Sequence, residues 1–213
     1  MRIGVLGTGM VGQTIATKLV ELGHEVTMGA RSAGSEKAVG WAAGAGDAAS
    51  AGSFADATAH GELVFNCTAG TASIEALRAA GDEELRGKVL VDVANPLDFS
   101  RGMPPTLSVC NDDSLGELIQ STFPDTRVVK ALNTVNAAVM VNPIEGTNVF
   151  VCGDDDAAKD EVKALLHDFG WPADSVLDLG GIDGARGMEM YLPLWLRMMG
   201  ALGTPSFNIA IVR

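Results

Sequence analysis

The chain is poor in the residues that build many common catalytic and metal sites. Its 213 residues include three cysteines, three histidines and one tyrosine, and aromatic residues account for only 5%. Cys67, Cys110 and Cys152 share no metal-ligand spacing, so we expect reduced thiols and no metal site built on them. No apolar run is long enough to span a bilayer, and the first strand pattern begins at residue 2. We therefore expect a cytoplasmic protein without a signal peptide.

Positive charge is also scarce. Lys and Arg number 15 against 27 Asp and Glu, which gives a net charge of −12. This excess argues against nucleic acid and anionic membrane as partners, although a local positive field can still hold an anionic cofactor. The acidic run at 154–156 is interpreted as a helix N-cap rather than a metal site. The 47% hydrophobic content and 26 glycines are typical of an Ala-, Gly- and Val-rich α/β protein.

The amino-terminal residues carry the most specific motif of the chain. Residues 2–6 have the pattern of a short buried strand, and residues 13–22 have the pattern of a helix. Between them, Gly7, Gly9 and Gly12 form a G-x-G-x-x-G turn. In such a turn the first glycine permits the tight bend, the second lets the backbone approach a pyrophosphate, and the third lets the helix pack on the strand. Strand, turn and helix in this order predict a dinucleotide site.

The end of the second strand predicts which dinucleotide is bound. A site for NAD places Asp or Glu there to accept a hydrogen bond from the ribose 2′-hydroxyl. Here the strand at 25–29 runs into Ala30, Arg31 and Ser32, and no carboxylate is present. Arg31 can pair with a 2′-phosphate, Ser32 can add a hydroxyl, and Lys37 can reach the same group. The sequence therefore favours NADP over NAD.

Strand and helix patterns alternate along the whole chain. This alternation predicts an α/β fold with a doubly wound, mainly parallel Rossmann sheet at residues 1–180. A small helical segment at 181–213 is expected to pack on the same unit, and its apolar helix at 188–202 contains Pro193. That proline should kink the helix unless it falls in the first turn. The predicted strands lie at 2–6, 25–29, 48–51, 63–67, 88–93, 128–132, 148–152 and 176–179.

Three of these strands end in small or polar residues. In a doubly wound sheet, ligands bind at the carboxyl ends of the strands, so these ends should form the floor under the ribose and nicotinamide. Small side chains would leave room for a second flat molecule against the nicotinamide. The residues concerned are Thr68, Ala69, Gly70, Asn95, Pro96, Asn133 and Thr134.

A positioned proton donor is hard to find in the sequence, and we assign no catalytic residue. His24 lies in the turn before the second strand, and His60 and His167 lie at helix ends. Lys130 lies within a strand where alternation could point it to either face, and Tyr191 lies in the terminal helix. Carbonyl reduction normally needs such a donor beside the substrate oxygen. The site is therefore better suited to hydride transfer to a ring, such as a flavin or deazaflavin.

Several segments resemble the coenzyme F420-dependent NADP oxidoreductases and the wider group of dinucleotide-binding proteins related to them. The resemblance runs nearly end to end, and the wider group also resembles the cytosolic reductase module of certain membrane ferric reductases. The matching segments are 2–9, 22–26, 29–31, 128–134, 151–156 and 191–203.

The resemblance implies a Rossmann domain, a homodimer, and hydride exchange between NADP and the deazaflavin F420. By position, Thr8, Gly9, Met10 and Val11 correspond to the pyrophosphate loop and Arg31 to the ligand of the 2′-phosphate, while Asn136 and Ala137 would lie near the nicotinamide. Two other interpretations stay open at this point. One is a small NADPH-dependent carbonyl or imine reductase with Lys130 or Tyr191 as acid, and the other is a non-catalytic NADP-binding regulatory module.

Overall fold

The structure is a computed structural model, and it describes residues 1–212. The strands and helices are, in chain order, β1 (Arg2–Leu6), α1 (Met10–Glu21), β2 (Glu25–Ala30), α2 (Glu36–Ala45), β3 (Ala49–Ser53), α3 (Phe54–His60), β4 (Leu63–Asn66), α4 (Ser73–Ala80), α5 (Asp82–Leu85), β5 (Val89–Asp92), β6 (Leu97–Asp98), β7 (Thr106–Leu107), α6 (Leu115–Thr122), β8 (Arg127–Ala131), α7 (Ala137–Val141), β9 (Val149–Cys152), α8 (Asp156–Asp168), β10 (Val176–Asp178), α9 (Ala185–Met190) and α10 (Leu192–Leu202).

Within residues 1–212, eight of the strands form one sheet in the order β10-β9-β8-β5-β4-β1-β2-β3. Each neighbouring pair in this described sheet is parallel except β8 and β9, which run antiparallel. The strand order reverses between β1 and β4, which is the place where a doubly wound sheet binds its ligand. The predicted α/β fold with a mainly parallel Rossmann sheet is confirmed.

Helices cover both faces of the sheet, because successive strand side chains point to opposite faces. On one face Ile3 and Val5 of β1 belong to the same core cluster as Ile15 of α1 and Val162 of α8. On the other face Leu6 belongs to a second core cluster. That cluster is formed by residues of β4, β5, β8, α3, α4, α6 and α9, among them Val64, Leu90, Val128, Ala57, Leu77, Ile119 and Met188.

The helix N-cap predicted in the acidic run is confirmed, and a serine caps α6 in the same way. The Ser114 hydroxyl accepts from the Glu117 N–H at 3.1 Å at the start of α6, and the Asp155 carboxylate accepts from the Ala158 N–H at 2.9 Å at the start of α8. The run at 154–156 therefore begins a helix, as its charge at a helix N-terminus favours.

The apolar terminal helix predicted at 188–202 is divided into α9 and α10. Pro193 lies in the first turn of α10, where its missing N–H would have no partner within the helix. The chain beyond α10 returns to the segment after α7, where the Asn148 N–H donates to the Ile209 carbonyl at 3.0 Å. Among residues 1–212, no helix combines the length and the apolar character that a membrane crossing needs.

Candidate functional site

The glycine turn joins β1 to α1 at the carboxyl edge of the sheet. Gly7 has φ +118°, a backbone conformation that side chains rarely adopt, and a Cβ atom there would meet the Cys67 carbonyl oxygen at 2.5 Å. A Cβ atom at Gly12 would overlap the carbonyl of Gly7. Gly9 has no atom within 4 Å of its Cβ position. The first and third glycines are therefore required by the fold, whereas the second keeps the backbone open for a ligand.

An open cavity of about 970 Å³ begins at this turn and runs to the end of β2. Arg31 and Lys37 line it, and neither makes an ion pair with another of the described residues. Two cations without a protein partner in a concave surface suit a phosphate group. Glu36 and Glu75 line the same cavity, so its lining carries acidic as well as basic side chains.

The cavity brings together eight of the residues predicted to bind the dinucleotide. They are Gly7, Thr8, Gly9, Arg31, Ser32, Lys37, Thr68 and Ala69. Other residues that line the cavity were not predicted, such as Ser35, Phe54, Cys67 and Ala72. Ser35 had a sequence signal, because a hydroxyl residue directly before a helix can either cap the helix or bind a ligand. In the structure its side chain does not cap α2. Phe54, by contrast, reaches the cavity from the start of α3, on a strand-to-helix turn that carries no ligand motif.

Other predicted residues lie outside this cavity. Met10 is 78% exposed, Val11 packs against the core, and Gly12 lies buried under Gly7. The Asn136 side chain accepts from the N–H groups of Ala138 and Val139, and its amide donates to the Pro205 carbonyl. Asn136 thus caps α7 and holds the C-terminal segment. The remaining residues outside the cavity are Gly70, Asn95, Pro96, Asn133, Thr134 and Ala137.

The ends of β5 and β8 are joined by a reciprocal pair of hydrogen bonds. The Asn95 amide donates to the Asn133 carbonyl at 2.9 Å, and the Asn133 amide donates to Asn95 Oδ1 at 2.9 Å. Gly70 is packed against the same loop so closely that a Cβ atom there would overlap the Asn95 carbonyl. The three predicted floor segments therefore contact one another.

Two buried polar atoms in this floor have no hydrogen-bond partner among the described residues. They are Asn133 Oδ1 and Thr134 Oγ1, on residues that are 2% and 1% exposed. Buried polar groups are nearly always paired, and an unpaired one calls for an explanation such as a ligand. Together with the open backbone at Gly9, these atoms fit a floor for the ribose and amide of a nicotinamide nucleotide.

Behind the floor, polar side chains form a row across three strands. Asn66, Asp92 and Lys130 are direct neighbours in the register of β4, β5 and β8, and each is fully buried. Asn66 donates to Asp92 Oδ1 at 2.8 Å, and Lys130 donates to Asp92 Oδ2 at 2.8 Å. Glu189 of α9 continues the row, with Oε1 at 2.6 Å from Lys130 Nζ. We call these four residues the polar ladder.

Lys130 is held as a charged, fully bonded group. Its Nζ contacts Asp92, Glu189 and, at 2.6 Å, the Ala94 carbonyl, which accounts for its three protons. Burial alone would lower the pKa of Lys130, but the two carboxylates hold that pKa above its usual value. A lysine with no exposed surface and a raised pKa is poorly suited to act as a general acid.

The histidines are also remote from the floor. His24 Nδ1 lies 3.3 Å from the amino-terminal nitrogen of Met1, and His60 Nε2 lies 3.3 Å from the Glu25 carbonyl oxygen. Both contacts are at the amino ends of β1 and β2, opposite the glycine turn. His167 contacts the Trp171 carbonyl at the end of α8. None of the three histidines lies where it could donate a proton at the carboxyl edge.

The chain was compared with known protein families, curated proteins and solved structures. The model of the family described as NADP oxidoreductase, coenzyme F420-dependent, matches residues 2–96. The crystal structure of a candidate F420-dependent NADP reductase from Arthrobacter sp. FB24 is 52% identical over the full length of both chains and superimposes with a TM-score of 0.94. The chain belongs to the F420-dependent NADP oxidoreductase family. It is therefore a member of a family of NADP-dependent oxidoreductases.

Two curated relatives match this chain over part of their own length. The F420-dependent NADP reductase of Methanocaldococcus jannaschii is 34% identical over 118 residues, covering 53% of this chain and 51% of that protein. The metalloreductase STEAP3 of Rattus norvegicus is 30% identical over 200 residues, covering 91% of this chain and 38% of that protein. The matched segments thus span about half or less of the length of these two relatives.

Proposed function

We propose that the protein is an NADP(H)-dependent oxidoreductase that transfers hydride between NADPH and a deazaflavin, coenzyme F420, or a flavin. The observation that carries the proposal is the cavity that joins the open glycine turn to Arg31 and Lys37, two cations without an ion-pair partner among residues 1–212. One end suits a pyrophosphate and the other a 2′-phosphate. Membership of the family supports the same assignment.

The residues divide the binding of NADP between them. In this proposal the N–H groups at the start of α1 bind the pyrophosphate, with Thr8 and Gly9 lining its path. Arg31 and Lys37 bind the 2′-phosphate, and Ser32 adds a hydroxyl. Thr68, Asn95, Asn133 and Thr134 form the floor for the nicotinamide half, where Asn133 Oδ1 and Thr134 Oγ1 have no hydrogen-bond partner among the described residues.

The second substrate follows from the lack of a free acid among the described residues at the floor. NADPH supplies a hydride and becomes NADP⁺, while the deazaflavin or flavin ring takes up that hydride and one proton from water. Such a ring carries the electronic chemistry itself, so the protein needs only to hold two flat molecules in contact and exclude water. The saturated hydrogen bonds of Lys130 support this assignment over a carbonyl substrate.

The direct test is to mix the purified protein with NADPH and oxidised F420, FMN or FAD in turn. We expect one of these acceptors to lose its visible absorbance at a rate proportional to protein concentration, because the ring is reduced. A heat-inactivated sample and NADH in place of NADPH serve as controls. Tight binding of NADPH without transfer to any of the three acceptors would contradict the proposal and indicate a non-catalytic NADP-binding module.

Carbonyl or imine reduction is the second candidate, and one observation favours it. The Tyr191 hydroxyl is buried and has no hydrogen-bond partner among the described residues, so its proton is free to be donated. If it were the acid, Tyr191→Phe would abolish turnover of a carbonyl and imine panel. We instead expect no turnover of that panel by the wild type and unchanged F420 or flavin reduction in Tyr191→Phe, because burial raises the pKa of this phenol and no described residue orients it.

We further propose a cytoplasmic homodimer with one Rossmann unit at 1–180 and a helical segment at 181–213. The exposed apolar side chains of α10 support a subunit contact, since Leu194 and Leu202 are 57% and 59% exposed. The dimer, the cytoplasmic location and the boundary at residue 180 stay predictions.

A further inference from the structure

The polar ladder needs an explanation beyond stability. Asp92 and Lys130 have no exposed surface and Glu189 is 1% exposed, so two carboxylates and one ammonium are removed from water together. Apolar residues of similar size often stabilise a core as well as or better than a buried ion pair. A buried charged group that stability does not require is a candidate for a positioning role.

The ladder bonds directly to the backbone of one floor segment. Asp92 Oδ1 accepts from the Ala94 N–H at 3.2 Å, and Lys130 Nζ donates to the Ala94 carbonyl at 2.6 Å. The backbone N–H and the carbonyl of Ala94 are therefore both hydrogen-bonded to adjacent members of the ladder. Ala94 immediately precedes Asn95, whose amide bonds to Asn133, so the ends of β5 and β8 are fixed through the same contacts.

A second floor segment is held by the other end of the ladder. Asn66 Oδ1 accepts from the Thr68 hydroxyl at 2.7 Å and from the Thr68 N–H at 3.3 Å. Asn66 Nδ2 donates to the Ser73 hydroxyl at 3.1 Å, which ties the start of α4 to the same point. The segment between Thr68 and Ser73 is thus connected at both ends to one buried asparagine.

Glu189 connects this assembly to the C-terminal helices. Its Oε2 accepts from the Leu115 N–H at 2.8 Å, and its Oε1 accepts from the Gly116 N–H at 3.1 Å. These N–H groups belong to the first turn of α6 and have no partner within the helix. They therefore stabilise the buried negative charge of Glu189. The positions of α6, α9 and the floor are consequently coupled through one carboxylate.

We propose that the polar ladder positions the nicotinamide half of the dinucleotide, by fixing the backbone at Thr68 and Ala94 and thereby the floor. The proposal rests on the proposed binding of NADP. It assigns Asp92, Lys130 and Glu189 a positioning role and no contact with the reacting atoms. The adenosine half, held by Arg31 and the turn at the other end of the cavity, should not depend on the ladder.

The test compares two ligands that differ in the nicotinamide half. NADPH carries both halves, and adenosine 2′,5′-bisphosphate carries the 2′-phosphate and adenosine but no nicotinamide. In Lys130→Met and in Glu189→Gln we expect the Kd for NADPH to rise about tenfold or more, while the Kd for the bisphosphate stays within about twofold of the wild type. Calorimetric titration of both ligands measures the difference, and a thermal melt shows that each variant is folded.

The chain offers a matched control in Lys159→Met. Lys159 is 5% exposed and pairs with Asp156 at 3.0 Å and Asp178 at 3.1 Å, remote from the floor at the edge of the sheet that β10 forms. Its loss should lower the melting temperature and leave both affinities unchanged. If Lys130→Met does not fold, Glu189→Gln decides, because glutamine keeps the size and one acceptor oxygen.

Other results would overturn the proposal or its premise. An equal loss of affinity for both ligands, or no loss for either, in a folded ladder variant would show that the ladder only stabilises the core. A wild-type protein that binds neither ligand would instead refute the proposed NADP site, before any variant is compared.

Discussion

Replacement of Arg31 by alanine is expected to weaken NADPH binding about 30-fold and to change NADH binding by no more than about twofold. Hydrogen bonds to a charged group contribute about 1.5–3 kcal/mol each, and 1.4 kcal/mol corresponds to a factor of ten in Kd. Arg31 lines the cavity without an ion-pair partner among the described residues, so no internal ion pair is lost with it. NADH lacks the 2′-phosphate and so lacks the group that Arg31 is proposed to hold.

Fluorescence titration of NADPH and NADH with the wild type and Arg31→Ala measures this difference. Lys18→Ala is the matched control, because Lys18 is another cation without an ion-pair partner among residues 1–212, and it lines a separate groove on α1. It should change neither affinity. Since the phosphate contact is exposed, added salt should also weaken NADPH more than NADH in the wild type. Equal losses for both nucleotides in Arg31→Ala would refute the 2′-phosphate role.

The glycine turn could be predicted because its determinants are local. Gly7, Gly9 and Gly12 lie within one strand–turn–helix unit, whose backbone requires glycine at the first and third of these positions. The same holds for the helix N-caps and for the alternation that indicated the Rossmann sheet. In these parts the geometry depends on neighbours in the sequence.

The polar ladder could not be predicted, because it depends on contacts between distant segments. Alternation left Lys130 free to point to either face, and only the register of β5 with β8 places it beside Asp92. Glu189 comes from a helix whose position is set by packing on α6. Likewise, the antiparallel direction of β9 could not be predicted from its hydrophobic pattern, since a strand that is buried on both faces has the same composition in either direction.

The second and third glycines of the turn, Gly9 and Gly12, are expected to differ in how substitution by alanine affects stability and cofactor binding. In Gly12→Ala the new Cβ atom would overlap the backbone carbonyl of Gly7, so the turn or α1 must move. Overpacking of this kind costs about 1–3 kcal/mol, which lowers the melting temperature of a chain of this size by several degrees. In Gly9→Ala the Cβ atom meets nothing within 4 Å, and φ is −77°, so the melting temperature should stay close to that of the wild type.

The open space at Gly9 is where the proposal places the pyrophosphate. Gly9→Ala should therefore lose about tenfold or more in affinity for NADPH and NADH alike, because both carry the pyrophosphate, in contrast to the selective loss in Arg31→Ala. Gly40→Ala, in the interior of α2 with no atom within 4 Å, is the control and should only strengthen its helix. Thermal melts and titrations of the three variants separate the two roles. A Gly9→Ala protein that binds NADPH as tightly as the wild type would show that the open backbone at this turn does not hold the cofactor.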